Sequence, residues 1–256
     1  MASGTKKRLV VGNWKMYVES GKAARALALG LKRRVKNFKK VEVWIAPPMP
    51  FIAELAKAFA SSKIKIGAQN VSRFGGGKHT GEVSAKMLKS ADASFSIVGH
   101  SERRETGESD ADIAAKVLAC AEEKLCAIVC VGERARDEHG GHFDFIAGQL
   151  RAALADFPRG SAAKLVVAYE PLWAIGKMAA DAIAPQDLRE TAIFIRKILT
   201  EKFTRAEAAK IPILYGGSVE GVNAAELIEG GGVDGFLVGR ASADAEQFLQ
   251  IIAACA

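Results

Sequence analysis

Cysteine is scarce in this chain of 256 residues, with only Cys120, Cys126, Cys130 and Cys255 present. No two form a CxxC pair, and most sit in apolar runs such as 125–131, so they read as reduced core residues and exclude a disulfide scaffold or a thiolate metal site. Aromatics amount to 7% while Ala and Gly are plentiful, which argues against a β-sandwich and for a helix-rich α/β protein packed through small side chains. No apolar run approaches the ~20 residues that cross a bilayer. The basic stretch Lys6-Lys7-Arg8 has no apolar segment of signal-peptide type behind it, so the expectations are no membrane partner and a cytoplasmic location. Acidic residues are the minority sign, 29 against 36 Lys plus Arg, which gives a net charge of +7. The local clusters, Lys32-Arg33-Arg34 and Lys39-Lys40 among them, carry no interleaved aromatics and no binding motif. They read as solvated helix faces, and no nucleic-acid partner is expected.

What the chain has is a regular alternation. Short apolar runs of strand type recur at 9–12, 41–46, 64–68, 95–98, 127–131, 165–169, 211–215 and 235–238. Both alternating faces of these runs are apolar, as in parallel strands covered on each side. Helical spacing fills the intervals at 20–35, 111–123, 143–157, 185–203, 222–229 and 244–254. Eight β-α repeats over 1–256, without a long linker, predict a single α/β domain, a closed (β/α)8 barrel. An open dinucleotide-binding sheet lacks its best support, because Gly12-Asn-Trp-Lys-Met16 stands where a GxGxxG would follow the first strand.

A barrel gathers all its strand ends around one mouth, so polar residues at those ends carry the chemistry. They are Asn13 and Lys15 after the first run, His100 to Arg104 after the fourth, Glu170 after the sixth, Gly216-Gly-Ser218 after the seventh, and Gly239 and Arg240 after the eighth. Glycines before helix starts allow backbone N–H groups to approach an anion closely, which points to a phosphorylated ligand. Glu170 is placed to act as a general base in a dehydrated mouth. His100 is expected across that mouth and precedes Ser101-Glu102, whose amides would cap a helical turn and donate to the ring, leaving an uncharged imidazole to donate to a developing oxyanion. Lys15 supplies positive charge and Asn13 a neutral donor. Together these groups suit abstraction of a proton next to a carbonyl, with no metal pattern competing.

Eight motifs in one order resemble the triosephosphate isomerase family: Gly12-Asn-Trp-Lys-Met16, Gly67-Ala-Gln-Asn70, Thr80-Gly-Glu82, Gly99-His-Ser-Glu-Arg-Arg104, Cys130-Val-Gly-Glu133, Ala168-Tyr-Glu-Pro-Leu-Trp-Ala-Ile-Gly176, Leu214-Tyr-Gly-Gly-Ser-Val219 and Val233-Asp-Gly-Phe-Leu-Val-Gly239. The resemblance implies a cofactor-independent isomerase, without a metal, that interconverts dihydroxyacetone phosphate and D-glyceraldehyde 3-phosphate in glycolysis and gluconeogenesis. It implies Glu170 as base, His100 as electrophile and proton shuttle, and Lys15 and Asn13 as substrate-binding groups, with Glu102 supporting Lys15. Amides of Gly176, Ser218, Gly239 and Arg240 would hold the phosphate, Ile175 and Leu237 would clamp the base, and 171–180 would form a closing lid. It further implies a homodimer through the loop 71–80, with Thr80 of one chain supporting Asn13 or Lys15 of the other.

Three departures from the family pattern stand out. Lys177-Met-Ala-Ala-Asp181 replaces the usual far hinge of the lid, Arg240 stands where the family usually has Gly, and the run after Arg104 is one residue short and lacks its Phe. An isomerase of slightly longer phosphosugars and a catalytically silent phosphate-binding barrel are the alternatives. The first is separated by comparing three- and four-carbon ketose phosphates; the second has no reason to keep Lys15, His100 and Glu170 together.

Overall fold

The computed structural model describes residues 7–137, 139–175 and 182–256. Eight strands occur in chain order: β1 Arg8–Asn13, β2 Val41–Ala46, β3 Lys65–Ile66, β4 Phe95–Val98, β5 Cys126–Val131, β6 Leu165–Tyr169, β7 Ile213–Tyr215 and β8 Gly235–Val238. All pairings are parallel, in the order β3-β2-β1-β8-β7-β6-β5-β4. The two outer strands meet through the bridge between Ala68 and Ser96, so the sheet closes on itself. The predicted (β/α)8 barrel is the observed architecture.

Two strands are shorter than expected. At β7, Pro212 has no N–H to give to a ladder and Ile211 caps the preceding helix, so pairing starts at Ile213. At β3, regular pairing stops at Ile66. A side chain at Gly67 would place its Cβ 2.4 Å from Cδ1 of Phe95, so this position has room only for backbone at the seam.

Helices wrap the barrel: α1 Gly21–Val35, α2 Ile52–Phe59, α3 Ala85–Ser90, α4 Ser101–Glu105, α5 Asp110–Glu122, α6 Gly141–Ala153, α7 Pro185–Lys202, α8 Arg205–Lys210, α9 Ala224–Gly230 and α10 Ala245–Ala254. Their starts follow local chemistry. Ser20 accepts from the Ala23 N–H, Ser109 and Asp112 form a capping box, Thr204 and Glu207 form another, and Pro185 opens α7, where the N–H that proline lacks would have had no helical partner. Helices α2, α3, α4 and α8 are additional to the segments expected from spacing; three of the four have only five or six residues, too short to show a period.

Strand alternation divides the core in two. Leu9, Val11, Trp44, Phe95, Ile97, Cys126, Ile128, Cys130, Val166, Ala168, Leu214 and Leu237 pack against one another inside the barrel. Their neighbours Val10, Val43, Ile45, Val129, Val167 and Phe236 join the larger core under the helices. All four cysteines are buried and unpaired, and burial pushes the Cys120, Cys126 and Cys255 thiols up to about 12.

Candidate active site

The period-two series that fills the barrel interior also lays out its mouth. Leu9 and Val11 lead to Asn13, Val166 and Ala168 lead to Glu170, Leu214 leads to Gly216 and Leu237 to Gly239. Apolar side chains therefore give way, one step later, to polar groups or to no side chain at all. The glycines make the seat of the carboxylate. A Cβ at Gly132 would lie 1.9 Å from the Glu170 carbonyl oxygen, and one at Gly216 would lie 2.8 Å from Glu170 Cγ. The Glu170 N–H donates to the Val131 carbonyl at 2.8 Å, which ties the residue to the end of β5.

Lys15 holds φ at +44°, a left-handed conformation that costs on the order of 1–3 kcal/mol in a residue with a side chain. Its surroundings impose it. Trp14 N–H donates to the Ala46 carbonyl at 3.1 Å, the Lys15 N–H donates to Asn13 Oδ1 at 3.2 Å, and Gln69 Nε2 donates to the Lys15 and Ala46 carbonyls at 3.0 and 3.1 Å. The result aims Lys15 Nζ at Glu102 Oε1, 2.5 Å away. Partial burial works to raise the pKa of Glu102, but the Lys15 hydrogen bond and charge, with His100 behind them, outweigh it and hold the carboxyl below its usual range.

His100 follows β4 by two residues and caps α4. Its Nδ1 accepts from the Glu102 N–H at 3.2 Å, an arrangement that leaves the ring hydrogen on Nε2. Nε2 lies 3.4 Å from Glu170 Oε1, and Glu170 Oε2 accepts from the Ser101 N–H at 3.1 Å. Imidazole and carboxylate are thus in contact on one wall, whereas the sequence reading set His100 across the mouth from Glu170; the α4 turn brings the two together. Both are buried, at 8% and 2% exposure. The Cys130 thiol also faces this carboxylate, and burial first, then the Glu170 charge, pushes it well above its ordinary value.

Asn13, Lys15, His100, Glu102 and Glu170 share one cavity of about 720 Å³ with Ile175, Ser218, Leu237, Gly239 and Arg240. Ile175 and Leu237 lie on its wall. Ser218 directs its N–H and hydroxyl to the Ala174 carbonyl, at 3.2 and 2.8 Å. Gly176, the second half of the expected lid and the altered hinge at 177–181 lie outside the described residues. Thr80 is exposed and does not line the cavity of its own chain; in its loop, Phe74 stacks on His79 with ring centroids 3.6 Å apart.

Two supporting residues escaped the sequence reading. Gln69 falls inside a quoted motif, and its place just past the third apolar run was the signal available. Glu133 sits beyond β5 with its Oε1 accepting from Tyr169 Oη at 2.9 Å and Trp173 Nε1 at 2.8 Å, while Arg136 Nε lies 3.5 Å away. Two of these partners come from the stretch that ends β6 and follows it, a pairing that leaves no trace in local spacing.

A closed eight-stranded parallel barrel with a carboxylate, an imidazole and an amine converging at the C-terminal strand ends defines the class: a (β/α)8 enzyme equipped for acid–base chemistry. The model of the family described as triosephosphate isomerase matches residues 8–255. The chain belongs to the triosephosphate isomerase family and is an isomerase acting on triose phosphates. It is 43% identical over 253 residues to the triosephosphate isomerase of Thiobacillus denitrificans, covering 98% of this chain and 99% of that protein. It is 39% identical over 245 residues to the one from Idiomarina loihiensis, covering 95% and 96%. The crystal structure of triosephosphate isomerase from Bartonella henselae superposes with a TM-score of 0.83 at 35% identity, covering 97% of this chain and 98% of that one.

Proposed function

We propose that the chain interconverts dihydroxyacetone phosphate and D-glyceraldehyde 3-phosphate through an enediolate, with Glu170 moving the proton between the two carbons. The observation that carries this reading is the contact of His100 Nε2 with Glu170 Oε1 at 3.4 Å, inside the cavity that Lys15 also lines. A hydrogen on Nε2 can be given to the enediolate oxygens while Glu170 works at carbon. Asn13 and Lys15 bind the substrate oxygens, and Glu102 holds Lys15 in place. Amides of Gly239 and Arg240, with Gly176, receive the phosphate, joined by the Ser218 N–H once it leaves the Ala174 carbonyl. Ile175 and Leu237 shield the base from water, which strengthens these electrostatic interactions. A coupled assay with D-glyceraldehyde 3-phosphate tests the reaction, and Glu170→Gln tests the base: retained turnover in that variant removes Glu170 from its role.

The working form in this reading is a cytoplasmic homodimer. Among the described residues no helix is long and apolar enough to cross a membrane. Met16, Tyr17 and Met87 are 86%, 54% and 55% exposed, a large apolar area for a monomer to leave in water, and the loop 71–80 projects its exposed tip beside Arg73. A partner would cover these side chains and bring its Thr80 to Asn13 or Lys15. Sedimentation of a variant lacking residues 73–79 tests this; an active dimer would refute it.

A further inference from the structure

We propose that the Arg240 guanidinium is a side-chain ligand for the substrate's phosphate and strengthens this enzyme's preference for phosphorylated substrates; the proposal rests on the reading that phosphate lies against 216–218 and 239–240. The argument begins with charge. Among the described residues, three carboxylates line the cavity, Glu102, Glu170 and Glu220, against two cations, Lys15 and Arg240. Lys15 is already matched by Glu102 at 2.5 Å. The described walls thus carry one net negative charge, and without Arg240 they would present two to an incoming dianion.

Arg240 differs from the other arginines near the mouth. Arg103 is paired with Glu108, Arg104 with Asp110 and Arg136 with Glu133, whereas Arg240 forms no ion pair among the described residues. Its backbone is also fixed. Ser242 closes the 3-10 turn Arg240–Ala243 by donating its N–H and hydroxyl to the Gly239 carbonyl at 2.8 and 2.7 Å, and Ala241 and Ser242 are buried. The amides of Arg240 and Ala241 open that turn, so no earlier carbonyl of the turn takes them. A Cβ at Gly239 would lie 3.6 Å from Lys15 Cε, which places the stem of Arg240 one residue from the catalytic amine. A guanidinium anchored here forms a charge-assisted fork on phosphate oxygens, adding to the backbone amides, and its positive field draws the dianion in.

The experiment compares wild type with Arg240→Ala and Arg240→Lys, using D-glyceraldehyde 3-phosphate, unphosphorylated D-glyceraldehyde, and inorganic phosphate as competitor, at several salt concentrations. In Arg240→Ala, the KM for the phosphorylated substrate and the inhibition constant of inorganic phosphate should rise roughly three- to tenfold, the scale of one partly exposed charge-assisted contact. The kcat should move less than the KM, turnover of D-glyceraldehyde should fall less than that of the phosphorylated substrate, and kcat/KM should fall less steeply with salt. Arg240→Lys should recover part of the loss. Unchanged KM, phosphate inhibition and salt dependence would overturn the proposal, as would an equal loss on D-glyceraldehyde. Ser218→Asp, which sets a carboxylate at the phosphate cup, separates the two levels: a steep KM rise there beside an unaffected Arg240→Ala defeats only the arginine, while an unmoved KM defeats the phosphate placement itself.

Discussion

Glu133 and Glu170 are both 2% exposed, stand just past adjacent strands, and differ in almost everything that decides what a carboxylate can do. Oε1 of Glu133 is saturated by the Tyr169 hydroxyl, the Trp173 indole and Arg136, so its charge is used in holding β5, β6 and the segment after β6 together. Glu170 is held by one amide and one imidazole, both on the α4 turn, and its open side faces the cavity between two glycines. Burial is common to both; what distinguishes a base from a brace is the number of donors already in place and the space left beside it.

The contrast is sharpest in Glu170→Asp, which withdraws the carboxylate by one methylene. Its kcat should fall by ~10² or more, the range a positioned base contributes, with KM little changed. A kcat near that of wild type would erase the distinction. Lys15→Ala should lower kcat/KM by about 10²-fold through both binding and turnover, as expected when a charge-stabilising donor is lost; steady-state kinetics that lose neither would contradict the electrostatic role. Glu133→Gln should do the reverse of Glu170→Asp, costing about 1–3 kcal/mol of stability in urea unfolding while kcat stays within about tenfold. A kcat loss as deep as that of Glu170→Asp would show that the two sites are not separable.

The smallest effect concerns Glu102. Its pKa is lowered in the folded chain, so the group is charged and paired at neutral pH and contributes stability there. That contribution begins to fade as pH falls below the ordinary value of 4.5 and is lost through the lower folded value. Because the side chain is 57% exposed, the effect is modest. Acid unfolding of Glu102→Gln against wild type should converge at low pH and diverge toward neutrality; parallel curves would remove the ion pair from the account.

Much of this was legible in the sequence because barrel strands are short, apolar on both faces and separated by helical runs. Six of them fall within a residue of their observed positions. Pro212 and Gly67 mark the two that do not, and each acts through a partner strand that local pattern does not reveal. Glu170 and Asn13 were legible because each ends an apolar run in the inward phase. The Glu102–Lys15 pairing came from family resemblance, since 87 residues separate the partners. The contact between His100 and Glu170, the roles of Gln69 and Glu133, and the glycine seat around Glu170 depend on which strand ends meet, a matter of closure geometry that periodicity along one strand does not encode.

Closure itself has a consequence. Seven ladders join the strands through paired residues, but the ring is completed between β3 and β4 by a single bridge at Ala68 and Ser96, with three hydrogen bonds running Ser94 to Ile66, Ala68 to Phe95 and Ile97 to Ala68. A cylinder with one thin clasp opens there first. Ala68 of the clasp stands just ahead of the 71–80 loop in the chain, so grip on that loop by another subunit would also hoop the barrel shut, making assembly a brace for the tertiary structure of each chain.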